Sequence, residues 1–201
     1  MNKKSSINYF IDDAIQALHQ GHLIVYPTDT LYALGCDIFN EESVDAVYSI
    51  KKRPFSVALP LAVCDLAMMQ TIAFVNETVI KIVEQFLPGS LTIIVPKKKF
   101  VSEKVSAGLD TIAVRIPENA IALELLQRFG PLCVTSANIH GKPTPASIDE
   151  IKKEFGSAIK VFIDEGRKEG KPSTIVDLCG EKPKIVRQGL IDIDDIMDAL
   201  K

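Results

Sequence analysis

The sequence predicts an α/β fold in which a curved sheet of parallel and antiparallel strands is flanked by helices. Three observations carry this. Helical periodicity alternates with short β-branched runs along the chain, the strand-like runs outnumber the helical ones, and between 161 and 187 strand-like runs follow one another without a helix. Strict alternation builds a parallel doubly wound sheet, whereas successive strands require antiparallel neighbours, so a mixed sheet is expected. No linker or internal repeat interrupts residues 1–201, which predicts a single domain.

Ile11, Ala14, Ile15 and Leu18 recur at helical spacing before Gly21, so residues 8–20 form an amphipathic helix that feeds the strand LIVYP. A second helix runs from Glu41 to Lys51, started by the Asn40 side chain and stopped by Pro54. LPLAV at 59–63 reads as a strand, NETVIKIVEQF as a helix capped by Asn76, and SLTIIVP and TIAVRIP as strands. After Pro117 comes the helix ENAIALELLQRFG, then the strand PLCVTS, then SIDEIKKEFG with Ser147 and Glu150 as a capping box. KVFID, STIVDL and KIVRQ complete the strands. The loop at 163–173, IDEGRKEGKPS, joins glycine to charge and reads either as a mobile cover or as an ordinary surface loop.

With 201 residues, 47% of them hydrophobic, and a formal charge of -3, the chain can bury a sizeable core but has no wholesale basic surface for nucleic acid. Cys36, Cys64, Cys133 and Cys179 are widely spaced without a CxxC pair, which predicts buried free thiols and a reducing cytoplasm. His19, His22 and His140 lack metal-ligand spacing, so no zinc site is predicted. No apolar run approaches the roughly 20 residues of a membrane span, and no signal core follows the N-terminal lysines. A soluble, cytoplasmic protein without a membrane partner is expected.

Neither a P-loop nor a dinucleotide fingerprint occurs, so any phosphate must be held by side chains. Lys51, Lys52 and Arg53 cluster at a helix end, and Arg115 and Arg187 lie within apolar strands. A buried guanidinium is costly unless an anion or carboxylate faces it, so the two strand arginines point to an anionic ligand. PTDT at 27–30, TSAN at 135–138 and PST at 172–174 place hydroxyls and an amide at strand ends, where α/β folds bind polar ligands. No catalytic triad or reactive-cysteine setting stands out. The implied chemistry is positioning and charge stabilisation of a phosphate-bearing substrate.

YPTDTLYALG, Lys51 and Arg53 in KKRP, TIAVRIP, TSANIHGKPTP, PSTIVD and IVRQG, in that order, resemble the YrdC family of threonylcarbamoyl-AMP synthases over about residues 8–190. The resemblance implies a YrdC-like fold and a nucleotidyltransferase that turns L-threonine, bicarbonate and ATP into threonylcarbamoyl-AMP and pyrophosphate. A partner transferase would then modify tRNA beside the anticodon. It further implies that Lys51 and Arg53, at an exposed helix end, are catalytic and grip ATP phosphates and the carbamate. Thr111, Asn138 and Arg187 would also contact ATP, and Thr30, Arg115, Ser136 and Ser173 would form the threonine pocket, Arg115 pairing the carboxylate through its fork. Magnesium is expected on the phosphates with no protein ligand assigned. The chain departs from the family pattern where Leu59 and Cys64 replace a stretch ending in histidine, and at Ala146, where Thr144 or Ser147 would supply the missing hydroxyl. Its end at Lys201 resembles the short single-domain form. The competing reading is a paralogue that binds double-stranded RNA or tRNA without synthase activity.

Overall fold

A computed structural model describes residues 3–180 and 182–200; both ends of the expected 1–201 domain, including Lys201, lie outside the described residues. In chain order the elements are α1 (Lys3–His19), β1 (Ile24–Pro27), β2 (Tyr32–Gly35), α2 (Glu41–Lys51), β3 (Leu61–Ala62), α3 (Leu66–Ile72), α4 (Glu77–Phe86), β4 (Leu91–Pro96) and α5 (Glu103–Ser106). There follow β5 (Thr111–Arg115), α6 (Ala120–Phe129), β6 (Leu132–Cys133), β7 (Thr135–Ser136), α7 (Ile148–Phe155), β8 (Val161–Phe162), β9 (Thr174–Asp177), β10 (Lys184–Arg187) and α8 (Ile193–Ala199). The mixed α/β expectation holds, with two mixed sheets in place of one.

Helix starts follow the caps. Asn40, Asn76, Asn119 and Ser147 each accept an amide of the first turn, satisfying a donor the helix leaves orphaned. The Glu150 carboxylate reaches back to the Ala146 amide at 2.9 Å. α2 ends before Pro54: Lys52 turns left-handed at φ 51° and the Arg53 amide closes on Tyr48 O at 3.0 Å. α4 buries Val79, Ile82 and Val83 on one face, each contributing about 1.5–3 kcal/mol.

The first sheet runs β7-β2-β1-β8, the second β10-β9-β4-β5-β3-β6. β1 and β2 form an antiparallel hairpin, with Pro27 opposite Tyr32 and the turn at 28–31 between them. Both strands are buried on both faces: Val25, Tyr32 and Leu34 face the main core, while Ile24, Tyr26 and Ala33 join a second cluster with Ile11, Leu18 and Leu125. The stretch PLCVTS, expected as one strand, is two strands in two sheets. Val134 alone separates them, its amide bonded to Pro60 O at 2.9 Å. All four cysteines are free, but only Cys36 and Cys133 are fully buried; Cys64 is half-buried and Cys179 exposed. Among the described residues no helix is long and apolar enough to cross a membrane.

Candidate active site

The turn joining β1 to β2 is shaped by threonine hydroxyls. Thr28 Oγ1 accepts the amides of Thr30 and Leu31, each at 3.2 Å, and donates to Leu31 O at 2.6 Å. The Thr28 and Thr30 hydroxyls also lie 3.1 Å apart. Thr30 Oγ1 also receives Arg115 Nη1 at 3.1 Å, which takes one of its two lone pairs.

Arg115, 6% exposed, does meet the carboxylate its burial demands, and the protein supplies it. Its Nη2 donates to both oxygens of Asp29 at 2.8 Å and to Gly89 O at 3.0 Å. This corrects the expectation of a fork free to pair a ligand carboxylate. Nη2 is saturated, Nε is buried without a hydrogen-bond partner, and Nη1 keeps one N–H beyond Thr30. Arg187 is corrected too: β10 is an edge strand with a register shift between Ile185 and Arg187, and the side chain is exposed. It donates Nε at 3.1 Å and Nη2 at 2.9 Å to Ser173 O. Partial desolvation, then the charge of Arg115, pulls its pKa down.

Lys51 is not at an exposed helix end. It is 1% exposed, because the Ser136–Asn138 segment closes over it, and Nζ donates to Ser136 O at 2.5 Å, Asn138 O at 2.7 Å and Asn138 Oδ1 at 3.3 Å. All three ammonium protons are therefore committed, and burial lowers its pKa to about 8. Asn138 faces inward as well, taking the Ser136 hydroxyl at 2.6 Å and donating to Lys142 O at 2.5 Å. Arg53 is half-buried, with Nε on Val57 O at 2.9 Å and Nη2 on Ala58 O at 2.6 Å. Among the described residues, Nη1 of Arg53 and Nη1 of Arg187 have no protein partner.

Arg53, Arg115 and Arg187 line one cleft of about 280 Å³ together with Thr30, Ser136, Ser173, Thr92 and Thr144. Among the described residues the three guanidiniums have one carboxylate bonded to them, Asp29, so the cleft has an excess of positive charge that an anion would relieve. Lys51 and Asn138 stand behind Ser136 instead of lining it. Thr111 lies at the opposite end of β5 from Arg115, two residues beyond the cleft-lining Ala113 on the same face. Neither Leu59 nor Cys64 lines the cleft. Thr144 does, whereas Ser147 Oγ is occupied in capping α7, so Thr144 is the hydroxyl available near Ala146.

The 163–173 loop is docked, not open. Tyr32 shares its hydroxyl proton between Gly166 O at 2.6 Å and Asp164 Oδ1 at 3.0 Å and accepts the Glu165 amide at 2.9 Å. A Cβ on Gly170 would sit 2.3 Å from Thr30 O, so only glycine lets the loop lie against the turn, and Pro172 reaches the cleft. Asp29, Tyr32 and Thr92 escape the sequence reading. Thr92, 3% exposed in an otherwise apolar strand and 2.8 Å from Ser173 Oγ, carried the same signal as Arg115. Among the described residues no group of three or more His, Cys, Asp or Glu side chains could hold a metal. Asp29 is already committed, so the residues present do not fit a resident ion, and magnesium would enter only on the phosphates of a nucleotide.

A family profile named Sua5/YciO/YrdC, described as telomere recombination, matches residues 16–189. A Methanocaldococcus jannaschii protein provisionally named threonylcarbamoyl-AMP synthase is 40% identical over 88% of this chain and 84% of its own length. The structure of Pyrococcus abyssi Sua5 complexed with L-threonine is 32% identical, with a TM-score of 0.90 over 94% of this chain and 57% of that one. Escherichia coli YciO is 31% identical, with a TM-score of 0.87 over 94% and 93% of the two chains.

Proposed function

The chain belongs to the Sua5/YciO/YrdC family, and from that premise we propose that it is a nucleotidyltransferase making threonylcarbamoyl-AMP from L-threonine, bicarbonate and ATP. The observation that carries this reading is the cleft where Arg53, Arg115 and Arg187 stand among hydroxyls with one opposing carboxylate. Such a site suits a ligand that is anionic at two places: an amino-acid carboxylate and a polyphosphate.

In the proposed reaction the threonine amine and bicarbonate condense to a carbamate with loss of water. A carbamate oxygen then attacks the α-phosphorus of ATP, the bond from that phosphorus to the bridging oxygen breaks, and pyrophosphate leaves. Thr30 takes an N–H or O–H of threonine on its remaining lone pair; Arg115, Ser136 and Ser173 complete that pocket. Arg53 and Arg187 offer their Nη1 groups to phosphate oxygens as charge accumulates. Lys51 contributes its cationic field from behind Ser136 and, with Asn138, holds the Ser136–Asn138 turn in place. Magnesium would arrive as part of the nucleotide substrate. The product would feed a transferase that modifies tRNA, in the cytoplasm.

The test is pyrophosphate release by the purified protein with ATP and bicarbonate, with L-threonine present, absent, or replaced by serine or valine. Threonine-dependent release is expected; none from folded protein overturns the reading. The likeness to YciO over nearly the whole of both chains favours a second reading, a paralogue that binds tRNA or double-stranded RNA. It requires nucleotide-independent RNA affinity that falls steeply with salt.

A further inference from the structure

Asp29 sits where four parts of the fold meet. Its oxygens accept Arg115 Nη2 twice at 2.8 Å, the Ser90 hydroxyl at 2.8 Å and the Glu118 amide at 3.1 Å. The carboxylate thus ties the β1–β2 turn to the start of β4, the end of β5 and the approach to α6, with its side chain only 12% exposed. No ligand group is needed to complete it. What it does to Arg115 is specific: with Nη2 taken by Asp29 and Gly89, the guanidinium plane is fixed and its fork is closed.

We propose that Asp29 is a positioning residue, holding Arg115 so that the anionic end of the amino-acid ligand is met by the single remaining N–H of Nη1, and not by a bidentate pair. A carboxylate approaching through Nη2 would stand against the charge of Asp29, so this arrangement also sets the direction of approach. The identity of that ligand rests on the proposed function; the locking of Arg115 does not.

The experiment uses Asp29→Asn, which keeps the size and removes the charge. The KM for threonine is expected to rise at least about tenfold, with kcat and the ATP KM within about twofold, the loss of one charged hydrogen bond. In an Arg115→Ala background Asp29→Asn should have no further effect on the threonine KM, because Asp29 acts through Arg115. A ligand-independent readout runs beside these. In ¹⁵N spectra of arginine side chains, Arg115 in the wild type should show slowly rotating, separate Nη signals that merge in Asp29→Asn. Unchanged Arg115 signals overturn the proposal whatever the kinetics. So does an equal rise in the ATP KM, a fall in kcat alone, or an additive effect in the double variant. If the wild type proves not to use threonine, the functional reading falls and the spectra still decide the role of Asp29. Should Asp29→Asn fail to fold, Ser90→Ala, which removes one arm from the same carboxylate, should shift the signals and the threonine KM in the same direction by less.

Discussion

Lys51 and Arg115 are both buried cations at the same cleft, held in opposite ways. Arg115 faces a carboxylate, so its charge is cancelled within the protein. Lys51 hydrogen-bonds only to neutral acceptors, two backbone carbonyls and an amide oxygen, so its charge is solvated by dipoles, with Glu154 acting on it only from beyond those contacts. The Arg115 corner supplies directed hydrogen bonds with little net field, and the Lys51 corner supplies field with no free hydrogen bond. A site that orients an amino acid and draws in a polyphosphate, as proposed, would have use for each.

The sharpest way to break this contrast is to remove each cation. Arg115→Met strands Asp29 as a buried unpaired charge, and the loss should be about 3–5 kcal/mol in urea unfolding. Lys51→Met strands neutral acceptors, with an expected loss of about 2–3 kcal/mol by the same measurement, and threonine-dependent turnover should vanish. If Lys51→Met proved the more damaging to stability, the distinction between the two cages would be wrong.

The pH response separates them next. The pKa of Lys51 is lowered to about 8 from 10.5, so between those values the unfolded chain binds more protons and the penalty for burying the ammonium is relieved as pH rises. Wild-type stability relative to Lys51→Met should therefore climb over that window. With the cation used as proposed, turnover should fall through about pH 8, and Lys51→Arg should move that limb upward. The Arg115 corner should show no such limb, since its guanidinium stays protonated.

Smaller effects test the surroundings. Tyr32→Phe removes the anchor of the 164–166 segment and should cost about 1 kcal/mol, with faster proteolytic nicking of that loop. Thr111→Val, far along β5, should change the ATP KM by less than about twofold, as a residue outside the cleft should.

Local chemistry was legible and long-range pairing was not. The Asn40 cap placed α2 at Glu41–Lys51 from sequence, because capping is settled within three residues. β2 escaped because YALG, buried on both faces, shows no alternation, and α3 escaped because seven residues after Asp65 carry too little periodicity. The arginines and hydroxyls of the cleft stood out as polar groups in apolar strands. Asp29 did not, since its partners Ser90, Arg115 and Glu118 lie 61 to 89 positions away. The burial of Lys51 was hidden likewise, being imposed by a segment 85 residues downstream.

The two sheets are stitched together at both margins, and the stitches differ. At the β6–β7 margin a single residue, Val134, passes from one sheet to the other; at the opposite margin residues 163–173 carry the chain from β8 to β9. The molecule is therefore bound like a book, with a tight spine on one side and a long clasp on the other. Any breathing of the cleft would meet the longer connection at the clasp, where Tyr32 and the close fit of Gly170 on Thr30 act as the catch. Under the proposed function, substrates and product would pass by the clasp, and undoing the catch would govern how long a reactive adenylate stays sheltered from water.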